Sequence, residues 1–433
     1  MIALRLPFMP PDAAFAALAD QPHVAFLDSA RADDPRAKVS YLGFAPRATL
    51  TLRSGADPYA ALRDWLAAFP APPRPADWPF AFAGGAVGWL GYDLTRDAAG
   101  VTSRFDPPAD LPAGWFGLYE SLLGFDLARR ALFYLGPAEG LAPITALLQN
   151  VPPAPALPEL HWQAELDPAA YARRHEALRA YIAAGDVYQA NLTMRFMASR
   201  PAGTSLPALY QHLRRLSPAP FAAYLDTGTC GLLSASPERF LHLSAAGAVE
   251  TRPIKGTVAR QAAPEADAAA AAALRLNPKE RAENLMITDL LRNDLGKVCE
   301  VGSVRVPELW RVESYAQAHH LVSAVTGRLR AGLDAFDLLA ATLPGGSITG
   351  APKHRAMQII DELEAGPRGA YCGALAWIGF DGAMDSAIII RTLTATPDKL
   401  YAQAGGGITW DSVWAAEYEE AMVKISPLLA LSP

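Results

Sequence analysis

The spacing of apolar residues changes from a helical to a strand-like pattern at Gly185, within the segment from Asp167 to Ala198. This change restricts the fold to one that mixes helices and strands. Asp167 followed by Pro168 is a typical helix start, and apolar side chains then recur at helical spacing until Gly185. From Asp186 to Ala198 apolar and polar residues alternate, which predicts a β-strand. The sequence therefore predicts an α/β (α+β) protein.

The polar face of that predicted strand carries Gln189, Asn191, Thr193 and Arg195. Antiparallel sheets commonly expose one face to water, so a solvated outer face is one interpretation. The other interpretation is that these side chains line a site. The pattern alone does not decide between the two.

The composition is that of a globular protein with a large core. The chain has 433 residues, 51% of them apolar, a net charge of −6 that argues against nucleic acid as a partner, and no apolar stretch long enough to cross a membrane. Cys230, Cys299 and Cys372 lie far apart and form no CxxC pattern. We therefore expect buried free thiols in a soluble, cytoplasmic protein.

Proline marks the main boundary of the chain at residues 151–160, whose sequence is VPPAPALPEL. Such a segment predicts an extended linker between an N-terminal region (residues 1–150) and a C-terminal domain (residues 161–433). In the first region, residues 81–93 read AFAGGAVGWLGYD, which lacks the GxGxxG spacing of a dinucleotide site. We interpret these glycines as positions of close backbone packing in a sheet.

Two predicted helices each carry a pair of glutamates three residues apart. In the first, Asn277 and Pro278 start a helix that extends to Lys297 and carries Glu280 and Glu283. Glu280 stands where a capping-box carboxylate belongs, whereas Glu283 does not. A buried pair of carboxylates repels, so a metal ion or a basic substrate group is the expected partner.

The second pair, Glu417 and Glu420, lies on a helix predicted to run from Asp411 to Pro427. A solvated flank is one explanation, because Glu420 and Lys424 have the favourable i, i+4 order. A site is the alternative. Four carboxylates on two helices could serve a hard cation such as Mg²⁺, together with waters and substrate oxygens.

Two glycine-rich segments and one lysine are further candidates. Residues 344–353, PGGSITGAPK, do not match the GxxxxGK[ST] phosphate loop, but they lead into a helix start that suits an anion. Gly405, Gly406 and Gly407 follow an apparent strand, either as a flexible turn or as amides that approach a carboxylate. Lys255 is either a surface lysine or, where desolvated, a nucleophile.

The chain resembles the chorismate-utilising enzymes in eight motifs, in order SASPERF, RPIKGT, RAENLMITDLLRND, HHLVSAVTG, PGGSITGAPK, SAIIIRTLTA, AGGGITWDS and AEYEEAMVK. The resemblance is dense over residues 165–430. It implies the fold of anthranilate synthase component I, a sandwich of two large antiparallel sheets covered by helices. It also implies chorismate as the substrate and an active site in the cleft between the sheets.

Two positions distinguish the branches of that family. At the position of Gln189, the family members that activate water at C2 of chorismate have a lysine that acts as a base. This chain resembles the other members, which have glutamine there. Lys255 stands where anthranilate synthases carry alanine. The resemblance therefore implies the branch that aminates chorismate at C4, a transaminase-class synthase of the para-aminobenzoate and folate pathway.

The resemblance also implies a role for individual residues. The lysine that matches Lys255 is thought to attack C2 as the C4 hydroxyl leaves, after which ammonia enters at C4 and expels it. Glu238 resembles the general acid that protonates the leaving hydroxyl. The matching Mg²⁺ positions are the direct ligands Glu283 and Glu420 and the outer pair Glu280 and Glu417. The matching chorismate-binding positions are Gln189, Thr257, His320, Thr349, Arg391, Tyr401, Gly405, Gly406, Gly407 and Lys424.

The same resemblance implies partners. The chain has no Cys-His-Glu amidotransferase unit, so ammonia is expected from a separate glutamine amidotransferase subunit. A buried tryptophan site is known in this family, and Ser29, Pro220 and Phe221 are its candidates here. Two alternatives stay open: anthranilate synthase component I, and a non-catalytic subunit that binds an aromatic ligand.

Overall fold

The computed structural model describes residues 1–31, 34, 36–106, 108–153, 155–315 and 318–432. The strands of this part of the chain are β1 (Ile2–Leu6), β2 (Ala25–Asp28), β3 (Val39–Gly43), β4 (Ala48–Leu52), β5 (Gly85–Leu90), β6 (Gly114–Tyr119), β7 (Leu122–Asp126), β8 (Ala131–Gly136), β9 (Gln163–Ala164), β10 (Gln189–Ser199), β11 (Phe221–Asp226), β12 (Gly231–Ser236), β13 (Arg239–Leu243), β14 (Ala248–Thr251), β15 (Ile254–Ala259), β16 (Arg305–Ser314), β17 (Ala318–Arg328), β18 (Gly350–Ala351), β19 (Ala374–Gly379), β20 (Met384–Ile388), β21 (Thr392–Ala395) and β22 (Lys399–Ile408). The helices are α1 (Pro11–Leu18), α2 (Pro58–Ala67), α3 (Tyr92–Ala98), α4 (Leu141–Leu148), α5 (Pro168–Ala183), α6 (Leu206–Leu216), α7 (Pro264–Leu276), α8 (Pro278–Gly296), α9 (Ala335–Thr342), α10 (Lys353–Leu363) and α11 (Trp414–Leu429).

The strands form two large antiparallel sheets. The first has the order β1-β8-β7-β3-β2-β11-β12-β21-β22-β10-β18, with β9 beside β10. The second has the order β15-β17-β14-β13-β20-β19-β5-β6-β4, with β16 beside β17. Both sheets contain strands from either side of residues 151–160, since β2 pairs with β11 and β5 with β19. The boundary drawn in the sequence stays a prediction, and the two regions share both sheets.

An aromatic core fills the space between the sheets. Alternate residues of β5 point in opposite directions: Val87 and Trp89 lie in this central core, whereas Ala86 and Leu90 pack on the outer side. Residues of α2, α8 and α9 cover the outer face of the second sheet, and residues of α1, α6 and α11 cover that of the first. The predicted sandwich covered by helices is confirmed.

The glycines of residues 81–93 lie where the backbone of β5 approaches its neighbours. A Cβ atom on Gly88 would stand 1.9 Å from the carbonyl oxygen of Trp115 in β6. Any larger residue would push the two strands apart. The interpretation of these glycines as close-packing positions is therefore confirmed.

The helix starts predicted from caps are confirmed, but the last helix differs from its prediction. The Asp167 side chain accepts from Ala170 N at the start of α5. Helix α11 begins at Trp414 rather than at Asp411 and continues through Pro427 to Leu429. Pro427 cannot donate to the carbonyl four residues earlier, and the Ser426 hydroxyl donates to that Val423 oxygen instead (3.0 Å). The helix can therefore extend past the proline.

Strand β10 has a buried polar face. Gln189, Asn191 and Thr193 are all buried, because the segment that follows α10 lies against them. The solvated-face interpretation of these three residues is wrong. The three cysteines are buried free thiols, as expected. Among the described residues no helix has the length and apolar character needed to cross a membrane.

Candidate active site

The Ser347 carbonyl lies where the two sheets meet. The chain turns through a 3₁₀ helix at Gly346–Ile348 between α9 and β18. The Ser347 carbonyl oxygen accepts from Lys255 Nζ of β15 (3.5 Å) and from Asn191 Nδ2 of β10 (3.2 Å). The Ser347 side chain lies beside the Glu238 carboxylate and helps to lower its pKa. One residue thus joins a lysine, an amide and a carboxylate from both sheets.

A buried ion pair fixes this turn against β10. The Arg368 guanidinium binds both Glu364 carboxylate oxygens (2.9 and 2.7 Å) and also donates to the carbonyls of Ile348 (2.8 Å) and Asn191 (3.3 Å). Glu364 in turn accepts from the Thr193 backbone amide (3.1 Å). The Ser347 turn is therefore held by charge-assisted hydrogen bonds on its inner side.

Glu238 is a half-buried carboxylic acid beside Lys255. Its backbone is fixed, because its carbonyl accepts from Ile388 N (3.1 Å) and its amide donates to Ser236 Oγ (3.3 Å). Burial raises the pKa of Glu238, and Lys255, the Ser347 side chain and Lys424 only partly oppose that rise. Glu238 therefore keeps its proton to a higher pH than an ordinary glutamate, as a general acid requires.

The glutamate pair of α8 faces Lys255 of β15. The Asn277 side chain caps the helix. In a capping box the Glu280 carboxylate would accept a hydrogen bond from the Asn277 backbone amide. That amide instead donates to Leu274 O (3.2 Å). Instead Glu280 packs on β15: a Cβ on Gly256 would lie 2.8 Å from Glu280 Oε2. The capping-box interpretation of Glu280 is therefore wrong.

The glutamate pair of α11 faces the glycines of β22. Glu417 is buried and accepts from Ser412 Oγ (2.7 Å), and a Cβ on Gly406 would lie 3.3 Å from its other oxygen. Glu420 is exposed and forms an ion pair with Lys424 (2.6 Å). The salt-bridged-flank interpretation therefore describes Glu420 and does not describe Glu417.

The four glutamates and Lys255 share one electrostatic environment. Burial raises the pKa of Glu280, and the charge of Glu420 adds to that rise. Burial likewise raises the pKa of Glu283, with further contributions from Glu280 and Glu417. Burial would also raise the pKa of Glu420, but Lys424 and Lys255 lower it below its ordinary value. A cation placed among these carboxylates would relieve their repulsion.

The donor set of this cluster suits Mg²⁺. No group of three or more His, Cys, Asp or Glu side chains in the described ranges is close enough to form a complete metal site. Mg²⁺ does not require one, because it usually keeps several waters and takes one or two carboxylates plus substrate oxygens. The residues therefore fit a hard cation whose remaining coordination positions waters or other oxygen ligands would fill.

Thr257, His320 and Arg391 lie together on the β15 to β17 side. Thr257 and His320 are cross-strand partners, and the Thr257 hydroxyl bonds to His320 Nδ1 (2.8 Å). Burial, with the charges of Arg31, Arg36 and Arg391, lowers the pKa of His320 to about 4. His320 is therefore a neutral hydrogen-bonding group at neutral pH, surrounded by cations that suit an anionic substrate.

The three glycines lie in a strand, so their interpretation as a turn is wrong. Residues 405–407 of β22 pair with residues 191–193 of β10, whereas β21 pairs only with residues 400–402. Residues 405–407 therefore pair with β10 along one edge, and no described strand lies along their other edge. Backbone amides of a strand point alternately to its two edges, so part of the amides in this stretch point away from β10. Lys424 Nζ donates to Gly405 O (3.1 Å) at the same place.

Thr349 belongs to the site wall, whereas Tyr401 does not join the group. Thr349 is fully buried, and its carbonyl accepts from the Asn191 amide (2.8 Å). The Arg195 guanidinium lies over the Tyr401 ring, 5.5 Å from its centre. Burial raises the pKa of Tyr401, and the charge of Asp110 adds to that rise. The sequence analysis did not single out Ser347, and it named Asn191 only as one of four residues on the polar face of β10.

The candidate tryptophan residues line a separate cavity of about 240 Å³ between the sheets. Ser29, Pro220 and Phe221 contribute to its wall together with Tyr41 and Trp377. The structure thus brings the three predicted residues to one place with aromatic surfaces.

Asp28 contributes to the cavity wall at the end of β2, but its carboxylate lies on the other side of the sheet, against α6. Its Oδ2 accepts from Arg214 Nε (2.6 Å) and from the Tyr210 hydroxyl (3.1 Å). Within the described residues its Oδ1 has no hydrogen-bond partner. The Asp28 carboxylate therefore joins α6 to the sheet and is not a ligand group of the cavity.

Comparison with known proteins gives the class. A family model described as chorismate binding enzyme matches residues 23–430, and the chain belongs to that family. It is 43% identical to aminodeoxychorismate synthase component 1 of Klebsiella aerogenes (98% of each chain) and 39% identical to that of Escherichia coli K12 (96% of this chain, 94% of the other). The crystal structure of anthranilate synthase component I from Streptococcus pneumoniae superposes with a TM-score of 0.80 at 31% identity, covering 92% of each chain.

We predict that Glu283→Gln stabilises the metal-free protein at pH 8. Because the folded state raises the pKa of Glu283, its ionised form opposes folding once the pH rises above the unfolded-state value. Removing the charge should raise the melting temperature in EDTA by about 1–2 °C, and the gain should vanish near pH 4. Calorimetry with and without Mg²⁺ measures this.

Mg²⁺ should stabilise the wild type and not Glu283→Gln. Glu419→Gln is the matched control, since Glu419 is exposed on α11 and its substitution should change neither value. Equal stabilisation of wild type and Glu283→Gln by Mg²⁺ would contradict the metal assignment.

Proposed function

We propose that this protein aminates chorismate at C4 and forms 4-amino-4-deoxychorismate. The observation that carries the proposal is the position of Lys255, which reaches the Ser347 carbonyl next to Glu238 and faces the two glutamates of α8. The names of the Klebsiella and Escherichia relatives support the same reaction.

The proposed reaction has two displacement steps at Lys255. In the first, the lysine amine forms a bond to C2, the ring double bond shifts, and the C4 hydroxyl leaves as water with a proton from Glu238. In the second, ammonia bonds to C4, the double bond shifts back, and the lysine nitrogen leaves C2. Chorismate and ammonia thus give 4-amino-4-deoxychorismate and water, and one difficult displacement becomes two easier ones.

The other residues would bind and orient the substrate. We assign Glu283 and Glu420 to Mg²⁺ directly and Glu280 and Glu417 to its waters. Bound there, the ion would supply a positive charge for a substrate carboxylate. Arg391, Lys424 and those amides of residues 405–407 that point away from β10 would hold chorismate carboxylate oxygens, and neutral His320 with Thr257 would hydrogen-bond to the substrate.

The ammonia would come from a second subunit. The two relatives are named component 1, a name that goes with a partner component. We propose that the partner is a glutamine amidotransferase and that free ammonia can replace it in vitro. Three unpaired, buried thiols suit the reducing cytoplasm as the site of this reaction.

Anthranilate synthase is the second candidate, because the Streptococcus structure with that name shares the fold. That reaction places nitrogen at C2 and needs no amine nucleophile from the protein, which leaves Lys255 without a role. A non-catalytic aromatic-binding subunit would in addition not need the raised pKa of Glu238.

We predict that Lys255→Ala lowers the rate of 4-amino-4-deoxychorismate formation at least about a hundredfold. The lysine is half-buried at the site rather than in a packed core, so the variant should keep the fold. Residual turnover should shift to products substituted at C2, measured by chromatography after incubation with chorismate, Mg²⁺ and ammonium chloride. Lys399→Ala, an exposed lysine at the start of β22, is the control. Wild-type product and rate in Lys255→Ala would overturn the mechanism.

We also propose that the cavity beside Ser29 binds tryptophan, because Ser29, Pro220 and Phe221 line it together with the aromatic side chains of Tyr41 and Trp377. Calorimetric titration of the wild type with tryptophan should show one site per chain. Ser29→Phe, which fills the cavity, should abolish the binding signal. The absence of a signal with the wild type would contradict this assignment.

A further inference from the structure

Asn284 is a buried amide on α8 that reaches the strand carrying Lys255. It directly follows Glu283 in the sequence and is 0% exposed. Its Nδ2 donates to the carbonyl oxygens of Pro253 (3.5 Å) and Leu321 (3.4 Å). Breaking these contacts would leave buried polar atoms unsatisfied, so the amide holds the backbone that it bonds. One of those backbone positions lies two residues before Lys255.

A chain of hydrogen bonds fixes the orientation of the Asn284 amide. The Trp310 backbone amide donates to Ser323 Oγ (3.1 Å), and the Ser323 hydroxyl donates to Asn284 Oδ1. The two carbonyl groups on the other side of the side chain can only accept. A reversed amide would place its oxygen against those carbonyl oxygens, which would repel it. The donor end of Asn284 therefore faces Pro253.

Trp310, where this chain of hydrogen bonds begins, is itself held firmly. Its φ of +57° lies in the left-handed region, which a residue of this size rarely adopts. Its Nε1 donates to Arg281 O (3.2 Å) in the first turns of α8, and the Arg281 guanidinium lies over the ring, 3.8 Å from its centre. A conformation of this kind persists only where the surroundings enforce it, and such positions cluster at functional sites.

Lys255 lies in the irregular part of β15. The register with β17 shifts within residues 254–257, so Lys255 stands outside the regular pairing of the two strands. The position of such a bulge depends on how its ends are held. At its N-terminal end, the Pro253 carbonyl accepts from the Ser323 amide (3.2 Å) and from Asn284. Asn284 therefore fixes the strand immediately before the bulge that carries the lysine.

We propose that Asn284 is a positioning residue that holds Lys255 where its amine can attack chorismate. The inference rests on the proposed function, in which Lys255 is the nucleophile. Because Asn284 is fully buried, it acts through β15 rather than on the substrate, and it joins that strand to the helix that carries Glu280 and Glu283. A misplacement of reacting atoms by about 1 Å can lower a rate about a hundredfold, so a small shift of β15 is enough.

Asn284→Leu tests this role, because it removes the donor and the acceptor at nearly constant size. The kcat for 4-amino-4-deoxychorismate formation should fall at least about tenfold, and residual product should shift towards substitution at C2, as in Lys255→Ala. The KM for chorismate and the half-saturating Mg²⁺ concentration should stay within twofold. Steady-state kinetics with chromatography of the products measures all three. A changed KM or Mg²⁺ requirement with an unchanged kcat would overturn the proposal.

A double-mutant cycle shows whether Asn284 acts through the lysine. The variant that combines Asn284→Leu with Lys255→Ala should consume chorismate within twofold of the rate of Lys255→Ala alone, because the side chain that Asn284 positions is absent. A further large fall would reveal a general structural effect and overturn the positioning role while the proposed function stands. A Lys255→Ala variant as active as the wild type would instead overturn the proposed function.

Ser323→Ala provides a milder change if Asn284→Leu does not fold. It keeps the amide and removes the hydroxyl that orients it, so kcat should fall about threefold with the same shift in products. Thr288→Val is the matched control: Thr288 is buried one turn along α8, and its hydroxyl donates to the Asn284 backbone carbonyl (2.7 Å). Its kcat and product ratio should stay within twofold of the wild type. An equal loss in Thr288→Val would overturn the proposal.

Discussion

The buried ion pair of Arg368 and Glu364 is the interaction on which the site depends. Removing two charges from water is costly, and the cost is offset only where the geometry is good and the remaining donors are bonded. Here the pair also bonds the carbonyls of Ile348 and Asn191 and the amide of Thr193. It thereby fixes the Ser347 turn to β10, and that turn binds Lys255 from the other sheet.

The candidate site contains charged side chains whose charged forms are destabilised by burial or by repulsion from their neighbours. Carboxylates from α8 and α11 are crowded so that burial and mutual repulsion raise the pKa values of Glu280 and Glu283. Lys424 pairs with Glu420 within this group, and Arg391 adds a second positive charge whose burial lowers its pKa. The substrate carboxylates and the divalent cation of the proposed function would neutralise both sets of charges.

Local signals in the sequence predicted much of the framework. Asp167 and Asn277 correctly predicted the starts of α5 and α8. A side chain that accepts a hydrogen bond and is directly followed by proline is typical of a helix N-terminus. The two-sheet sandwich itself came from the resemblance, since periodicity cannot pair strands as distant as β2 and β11. Pro427 was misleading because Ser426 supplies a compensating hydrogen bond.

The residues of the candidate site were predictable only in part. The motifs identified Lys255, Glu238 and the four glutamates, and the structure brings these together. The burial of Gln189 and Asn191 depends on a segment more than 150 residues away, which no local pattern reveals. The glycines at 405–407 resembled a turn in the sequence because their strand pairing with β10 is equally non-local.

The central claim is that Lys255 becomes covalently attached to the substrate. Its most direct test is mass spectrometry of the protein after incubation with chorismate and Mg²⁺ in the absence of ammonia, followed by peptide mapping. The account predicts an adduct with the mass of chorismate less one water on the peptide that contains Lys255, and its loss on addition of ammonia. An unmodified Lys255 in protein that goes on to form 4-amino-4-deoxychorismate when ammonia is added would contradict it.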